Sequence, residues 1–268
     1  MAHHTLIPLF NQRPRQDAGE VLRAVPRGGG GGANSLYIHV PFCFHKCHYC
    51  DFYSIVDTQD RQTAFTMRLV EELGALAPWV HPSGLNTIFI GGGTPSLLRT
   101  DLWTVLLDRL DALFQTRHGG GAETAQRDGF EFTVECNPET VSPELMSELK
   151  RGGVTRVSIG AQSFEQRHLK TLERWHDPAN VARALELARA AGISRQSIDL
   201  IYAVPGQTLV EWDQDLTRAL SMGTEHLSCY SLTYEPATAM TARLKRGEFK
   251  RADEDLEADM FELTLARL

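Results

Sequence analysis

The stretch YIHVPFCFHKCHYCDFYS, residues 37–54, joins a short aromatic and β-branched run to a loop crowded with cysteine and histidine. A strand that ends in a loop of potential ligands is typical of α/β proteins, whose sites form at the carboxyl ends of parallel strands. The stretch therefore indicates both a fold class and a site, and the rest of the chain can be searched for further units of this kind.

Six short runs of apolar and β-branched residues have the length and composition of β-strands. Most of them carry too little polar alternation for a half-exposed sheet, which indicates buried parallel strands. The predicted strands are SLYIHV from residue 35, NTIFI from 86, FEFTVE from 130, RVSIG from 156, SIDLIYA from 197 and HLSCYS from 226.

Amphipathic segments lie between these runs, and several have the start and stop signals of helices. Residues 100–114 place five apolar side chains on one helical stripe. Ser142 and Pro143 are typical of a helix start, and the segments that follow end in glycine. Alternating strands and helices predict an α/β fold, a partial (β/α)6 barrel with parallel strands inside and helices outside. A doubly wound open sheet remains the alternative, because periodicity alone does not distinguish the two.

Polar or glycine residues occur at the ends of five predicted strands. The cysteine loop follows the first strand, GGGTP follows the second, and Glu135, Gln162 and Asp199 lie at or near the ends of the next three. GGGTP is not a dinucleotide-binding loop, because it lacks the last glycine and has proline where a helix should begin. In a barrel these five strand ends converge on one rim, where barrel active sites are built.

Cys43, Cys47 and Cys50 have the spacing C-x3-C-x2-C, which puts three thiolate donors close enough to surround one metal centre. Three cysteines can ligate three irons of a four-iron, four-sulfide cluster and leave the fourth iron open. The alternative is a zinc ion with His45 or His48 as its fourth ligand. Structural zinc sites usually divide their ligands into two pairs, and no second pair follows here.

The chain has five cysteines, an odd number, and their crowding favours ligand chemistry over a disulfide framework. Cys136 and Cys229 lie in predicted strands and are interpreted as core residues, since free cysteine is often buried. His45 and His48 are predicted to be exposed loop residues, and the alternative is that they tune the cluster by hydrogen bonding.

Length, charge and hydropathy exclude several classes of protein. The 268 residues carry a net charge of -7, which gives no electrostatic reason to expect a nucleic-acid partner. No apolar run approaches the roughly twenty residues needed to cross a bilayer, and the N-terminus lacks the pattern of a secretory signal. We therefore expect a cytoplasmic protein with a flexible glycine-rich leader over residues 1–34, an ordered domain over 35–235 and a surface loop over 117–129.

The sequence resembles the radical S-adenosylmethionine proteins, and specifically the oxygen-independent coproporphyrinogen III oxidase family. The resemblance spans residue 37 to about residue 208 and continues through LSCYSLTYEPAT. Its motifs are YIHVPFCFHKCHYC, FIGGGTPSLL, FTVECNP, SIGAQSFEQRHLKTLERWH and SIDLIYAVPGQT.

The resemblance implies a [4Fe-4S] cluster on Cys43, Cys47 and Cys50, with S-adenosyl-L-methionine bound at the open iron. It also makes residues 35–235 a radical-SAM barrel domain. The positions that match cofactor contacts in the family are Tyr37, Tyr49, Gly92, Gly93, Thr94, Glu135, Gln162, Arg174, Asp199 and Thr233. No residue is assigned a catalytic role.

The family divides into decarboxylating oxidases and HemW-type haem chaperones. The oxidase branch is typified by the motif C-x3-C-x2-C-x-C, with a fourth cysteine two places after the third. This chain has Asp51 and Phe52 after the third cysteine, so Phe52 stands where the fourth cysteine would be. Residues 50–54, CDFYS, instead resemble the chaperone branch, which implies haem as cargo, a haem-acceptor protein as partner, and an electron donor if the cluster turns over. The alternative is a radical-SAM oxidase that decarboxylates coproporphyrinogen III.

The last predicted segment, residues 236–268, is expected to begin an incomplete C-terminal helical region. Leu256, Met260, Phe261 and Leu265 fall on one helical face, and this apolar stripe predicts further structure to cover it. The chaperone branch's HNxxYW motif does not occur in the 268 residues.

Overall fold

The computed structural model describes residues 32–117 and 129–268. The leader predicted for residues 1–34 lies outside the described residues apart from its last three, and the loop predicted for 117–129 lies outside them apart from its two ends. Ala33 is already paired, since its N–H donates to the Trp79 carbonyl (2.7 Å) and its carbonyl accepts from the N–H of His81 (2.8 Å). Backbone pairing therefore begins ahead of the predicted boundary at residue 34.

All six predicted strands are present, and two very short strands flank the cysteine loop. The strands are β1 (Ser35–Val40), β2 (Phe42–Cys43), β3 (Ile55–Val56), β4 (Thr87–Gly92), β5 (Glu131–Cys136), β6 (Arg156–Gln162), β7 (Arg195–Tyr202) and β8 (His226–Ser231). Strands β2 and β3 pair in parallel, which joins the start of the cysteine loop to the segment that follows it.

Helices lie in the connections between the long strands, and two more follow β8. They are α1 (Gln62–Leu76), α2 (Thr100–Phe114), α3 (Pro143–Arg151), α4 (Gln166–Thr171), α5 (Ala179–Ala190), α6 (Leu209–Ser221), α7 (Ala239–Lys245) and α8 (Glu254–Arg267). The predicted start of α3 is confirmed, because the Ser142 hydroxyl accepts from the Leu145 N–H at 3.2 Å. Helix α6 begins with a capping box formed by Thr208 and Glu211.

The six long strands form one parallel sheet in the order β1-β4-β5-β6-β7-β8. Each strand lies beside the next one along the chain, and the order never reverses, whereas a doubly wound sheet reverses at a switch point. The partial (β/α)6 barrel is therefore confirmed, with β1 and β8 as its two edges.

The two faces of this sheet differ in chemistry. On β6, Val157 and Ile159 belong to the apolar core that the helices cover, whereas Ser158 and Gly160 line the concave side. The inner strands β5, β6 and β7 are mostly buried as predicted, whereas the edge strands β1 and β8 are half-buried or exposed over most of their length. The concave face can therefore contact a polar ligand while the convex face holds the helices.

The C-terminal helix α8 packs against α6 of the barrel. The indole N–H of Trp212 donates to the Thr264 hydroxyl at 2.9 Å and to the Met260 carbonyl at 3.1 Å. Met260 is buried, whereas Phe261 and Leu265 are exposed. The single apolar stripe predicted for this helix is therefore wrong: the side that packs on α6 uses Met260 and Thr264, and Phe261 and Leu265 point away from it.

Candidate functional site

A cavity of about 1260 Å³ lies on the concave side of the sheet, towards the carboxyl ends of the strands. All the predicted site residues except Tyr37 line it. They are Cys43, Cys47, Tyr49, Cys50, Gly92, Gly93, Thr94, Glu135, Gln162, Arg174, Asp199 and Thr233. The strand-end convergence predicted from the barrel topology thus brings residues from across the chain to one cavity.

Tyr37 lies on β1 beside the cavity rather than in its wall. Its ring stacks on that of Phe89, with centroids 6.1 Å apart, and Phe89 lines the cavity. The Tyr37 hydroxyl lies 3.1 Å from Nδ1 of His39, within hydrogen-bonding distance. In this structure Tyr37 therefore reaches the cavity only through its neighbours.

The three loop cysteines are free thiols, each half-buried at the cavity wall. The Cys50 N–H donates to the Cys47 carbonyl at 3.2 Å, which closes a turn between these two residues. Burial raises the pKa of the Cys43 and Cys50 thiols, which favours the protonated form, so a metal bound by these thiols would have to displace their protons. Over residues 32–117 and 129–268, no three His, Cys, Asp or Glu side chains converge on a position for a single metal ion.

Two polar groups from outside the loop reach the thiols. The Thr94 hydroxyl donates to the Cys43 sulfur at 3.7 Å, and Nη1 of Arg174 donates to the Cys47 sulfur at 3.9 Å. Hydrogen bonds of this kind stabilise thiolate charge and tune iron–sulfur clusters. The residues present therefore suit a thiolate-ligated cluster with a polar surround.

The prediction that His45 and His48 are exposed is wrong, because both are half-buried by specific partners. The His45 ring stacks on Trp175, with centroids 4.3 Å apart and planes at 8°. Burial lowers the pKa of His45. Nδ1 of His48 lies 3.0 Å from Nη1 of Arg243, and the His48 carbonyl accepts from the Met240 N–H at 2.8 Å.

The GGGTP segment packs closely against the backbone that leads into the cysteine loop. Gly93 donates its N–H to the Val40 carbonyl at 2.8 Å, and Thr94 donates to the Phe42 carbonyl at 2.7 Å. A Cβ on Gly93 would lie 2.7 Å from the Pro41 carbonyl carbon, and one on Gly92 would overlap the His39 ring. The glycines thus let two strand ends touch, in addition to lining the cavity.

Two carboxylates, Glu135 and Asp199, lie on the concave wall. Glu135 accepts from the Gly92 N–H at 3.1 Å, and Asp199 accepts from the Ser158 hydroxyl at 2.9 Å. Burial raises the pKa of both carboxyls, and the hydrogen bonds from Gly92 and Ser158 act in the opposite direction. These two acceptors can bind hydroxyl or ammonium groups of a ligand.

Gln162 and Arg174 cross above Gly160, where β6 carries a bulge between Gly160 and Gln162. A Cβ on Gly160 would lie 2.9 Å from the Gln162 amide nitrogen and 3.0 Å from Nη2 of Arg174. Arg174 donates from Nη2 to the Gly160 carbonyl at 2.8 Å, while its buried Nε has no hydrogen-bond partner within the structure. An unpaired buried N–H on a cavity wall is suited to an anionic ligand group such as a carboxylate.

Several cavity residues were not predicted from the sequence. Trp175 stacks on His45, Ser158 bonds Asp199, and Arg156 and His226 line the concave wall. A search of alternate strand positions for small and polar residues would have found Ser158. Trp175 had no such signal, because its role depends on how the segment after α4 meets the cysteine loop.

Cys136 and Cys229 behave as the core residues expected. Cys136 is buried in the main core, although one side also borders the cavity, and Cys229 packs against the same core. Burial raises the pKa of Cys136 to about 12 and that of Cys229 to about 11, so neither is a reactive thiolate at neutral pH.

Comparison with protein families and curated proteins shows matches over most of the chain. The family model of the radical SAM superfamily matches residues 37–219. The haem chaperone HemW of Bacillus subtilis is 35% identical over 87% of this chain and 59% of its own length. HemW of Mycobacterium tuberculosis is 37% identical over 97% of this chain and 63% of its own length. The chain thus spans about three fifths of the length of these curated relatives.

Solved structures with the same fold include radical SAM enzymes. Coproporphyrinogen III oxidase (HemN) from Escherichia coli aligns with a TM-score of 0.75 and 25% identity, over 92% of this chain and 54% of that one. The methyltransferase TsrM from Kitasatospora setae aligns with a TM-score of 0.57 and 17% identity, over 78% of this chain and 38% of that one. Among the residues that the structure describes, no helix combines the length and apolar character needed to cross a membrane.

Proposed function

The chain belongs to the radical SAM superfamily, and from this premise we propose that it is a haem chaperone of the HemW type, which binds haem and transfers it to an acceptor protein. Radical SAM proteins use a [4Fe-4S] cluster and S-adenosyl-L-methionine. The observation that carries the proposal is the cavity in which the three loop cysteines meet the predicted cofactor-contacting residues, in a chain 35–37% identical to HemW proteins.

Cys43, Cys47 and Cys50 would hold the cluster. Thr94 and Arg174 donate hydrogen bonds to two of these sulfurs, which stabilises negative charge on them. The β2–β3 pair and the close packing of Gly93 hold the first part of the loop against the sheet. The chain thus presents the three thiols from a braced loop at the cavity wall.

The concave wall would hold S-adenosyl-L-methionine. The free Nε of Arg174 suits its carboxylate, and Glu135 and Asp199 suit its ammonium or ribose hydroxyl groups. The remaining predicted contacts are Tyr37, Tyr49, Gly92, Gly93, Thr94, Gln162 and Thr233. When bound to the cluster, this cofactor supplies one-electron chemistry that the protein side chains do not.

Haem is the proposed cargo, and its acceptor is a protein that the sequence does not identify. Support comes from the similarity to curated proteins named haem chaperone HemW. At the position of the oxidases' further cysteine this chain has Phe52, which is exposed and lines the cavity. Free thiols suit a reducing compartment, so a cytoplasmic location is part of the proposal.

A second candidate function is oxygen-independent coproporphyrinogen III oxidase. The observation in its favour is the alignment with HemN, which has the highest TM-score among the structures compared above. In that case the same cavity would bind a porphyrinogen. The protein would orient one propionate group of the porphyrinogen and exclude water from it. We favour the chaperone because Phe52 replaces the cysteine that the oxidases keep.

The two functions can be separated with anaerobically reconstituted protein. We expect about four irons per chain in the wild type, haem binding in an absorbance titration, and no release of carbon dioxide from coproporphyrinogen III. Turnover of coproporphyrinogen at enzyme-like rates would contradict the chaperone assignment.

The ligand assignment is tested with two cysteine variants. Cys47→Ser should lose the four-iron cluster, measured as iron content and visible absorbance, because a hydroxyl is a poor ligand for a soft metal site. Cys229→Ser is the matched control, since this half-buried thiol lies outside the loop. A full cluster in Cys47→Ser would show that the ligands are misassigned.

A further inference from the structure

A strongly basic segment spans the last turn of α7 and the residues that follow it, in an otherwise acidic chain. Residues 243–251, RLKRGEFKR, carry five Lys or Arg and one Glu, whereas the whole chain has a net charge of -7. Lys245, Arg246, Lys250 and Arg251 are exposed. We call these four side chains the basic surface; none of them belongs to the cavity described above.

The single carboxylate of this segment is already neutralised. Glu248 accepts from Nε of Arg243 at 2.9 Å and from Nε of Arg246 at 2.7 Å. Lys245, Lys250 and Arg251 have no carboxylate partner among residues 32–117 and 129–268. The basic surface therefore keeps an excess of positive charge towards solvent.

The basic surface borders a second cavity. Lys250 and Arg251 line a depression of about 500 Å³ together with Arg243 and the Pro205–Gly206 backbone. Arg167 also reaches this depression, where its Nη2 donates to the Gly206 carbonyl at 3.3 Å, but its guanidinium is already paired with Glu211 through Nε at 3.0 Å. Among the described residues, the unpaired positive charge at the concave site is therefore that of Lys250 and Arg251.

This surface is connected directly to the cysteine loop. Arg243 lines the second cavity, and its Nη1 lies 3.0 Å from Nδ1 of His48. The Met240 N–H on the same helix donates to the His48 carbonyl at 2.8 Å. His48 lies between Cys47 and Cys50, so a partner bound at the basic surface would be separated from the loop by one layer of side chains.

A partner would bind the basic surface through its exposed charges rather than through apolar area. Within residues 239–251, no large apolar side chain of the structure is highly exposed, and Phe249 is half-buried near the Arg243 guanidinium (5.4 Å). Binding through exposed charges is fast, salt-sensitive and weak, which is typical of transient electron-transfer complexes. An anionic membrane is less well matched, because the surface lacks apolar side chains to insert.

We propose that the basic surface is the docking site for an acidic electron-donor protein of the flavodoxin or ferredoxin type, which reduces the cluster through the face of the loop that carries His48. One electron passes from the reduced donor to the cluster, so the donor is oxidised by one electron and the cluster reduced by one, with no bond made or broken. The inference rests on the proposed function, since it requires the cluster.

The test compares two double variants that change the net charge equally. Lys245→Glu with Lys250→Glu reverses two charges of the basic surface. The control, Lys150→Glu with Arg183→Glu, reverses two exposed charges on α3 and α5. Each reconstituted protein is mixed anaerobically with reduced flavodoxin or with photoreduced deazaflavin, a small uncharged reductant. The measured quantity is the second-order rate constant for bleaching of the cluster absorbance at several salt concentrations.

With flavodoxin, the basic-surface variant should react about tenfold more slowly at low salt, and its rate should lose most of its salt dependence. Its rate with deazaflavin and the rates of the control variant should equal those of the wild type. An unchanged flavodoxin rate would overturn the docking site, as would equal losses in both variants.

Two further outcomes would also overturn it and are distinguishable. If the wild type shows no cluster that deazaflavin can reduce, the proposed function fails together with the inference. If the basic-surface variant loses sedimentation with vesicles of anionic phospholipid while its flavodoxin rate is unchanged, the surface binds membranes instead.

Discussion

Gly93 lies where the backbone after β4 touches the backbone that enters the cysteine loop. A Cβ at this position would lie 2.7 Å from the Pro41 carbonyl carbon and 2.8 Å from the Phe42 carbonyl oxygen. These neighbours are backbone atoms, so they cannot rotate away as a side-chain end could. At this residue glycine is required by packing, and the packing determines where Cys43 begins the loop.

The first prediction concerns Gly93→Ala. We expect it to lower the free energy of unfolding by about 2 to 3 kcal/mol, the upper part of the usual range of about 1 to 3 kcal/mol for overpacking, because the neighbouring atoms belong to the backbone. Reconstitution should also incorporate less iron, because the strand end that carries Cys43 must move. The measurements are urea unfolding of the apo protein and iron content after reconstitution.

Gly223→Ala serves as the control for Gly93→Ala. Gly223 has a φ of 67° with open space around it, so alanine there incurs only the backbone cost, about 1 kcal/mol. Iron incorporation should be unaffected in this variant. Equal destabilisation of the two variants would mean that the contact at Gly93 relaxes freely.

At the scale of elements, α6 braces the turn that follows β6. Asp215 on α6 accepts from the Ser163 hydroxyl at 2.7 Å and from the Phe164 N–H at 2.8 Å. Its carboxyl is buried, and burial raises its pKa to about 6 despite these hydrogen bonds. The helix thus holds the chain in place just beyond Gln162. Because burial disfavours the ionised form of the Asp215 carboxyl, its negative charge lowers the stability of the folded state.

The second prediction is the pH dependence that Asp215 contributes. Its pKa in the folded state is above the unfolded value, so between about pH 4 and pH 6 the native state binds more protons. Stability should therefore fall as pH rises through this window and level off above it. The loss attributable to this group is on the order of 3 kcal/mol.

Asp215→Asn should remove the part of the pH dependence of stability that Asp215 contributes. The asparagine side chain does not titrate, and its oxygen can still accept from the Phe164 N–H. The measurement is the free energy of unfolding in urea from pH 4 to pH 8, taken as the difference between wild type and variant. Asp259→Asn, which removes an exposed carboxylate on α8, is the control. A difference curve for Asp215→Asn that is flat across the window would contradict the prediction.

At the scale of the whole molecule, the barrel is open between β1 and β8. Both are edge strands of the six-stranded sheet, and β8 is largely half-buried or exposed whereas β6 is almost fully buried. The site cavity, at about 1260 Å³, exceeds the usual range for small-molecule pockets, about 300 to 1000 Å³. The open arrangement gives a large ligand access to the concave face.

The third prediction is that backbone amides exchange more slowly in the inner strand β6 than in the edge strand β8. Peptides covering β6 should exchange about a hundredfold more slowly than peptides covering β8, because β6 has a neighbour on both sides and β8 only on one in the described sheet. Mass spectrometry of the apo protein measures this ratio. Equal protection of β8 and β6 would mean that the edge at β8 is covered in solution.

The sequence was sufficient for the local structure and for most of the site. Strands and helices follow from short-range periodicity and caps, as at Ser142 and Pro143, because these patterns act within a few residues. The cysteine spacing and the polar or glycine residues at strand ends identified most of the predicted members of the cavity, whereas Tyr49, Arg174 and Thr233 followed only from the family resemblance. Parallel topology brings strand ends together whatever the side-chain details.

Only the tertiary structure decided which residues distant in sequence meet. The strand order excluded the doubly wound sheet, Trp175 covered His45, and Arg243 bound His48 across almost two hundred residues. Likewise, Tyr37 lies beside the cavity rather than in its wall, and α8 has Met260 on its buried side and Phe261 and Leu265 on its exposed side. Such contacts depend on how elements cross in space, and no local period of the sequence encodes that.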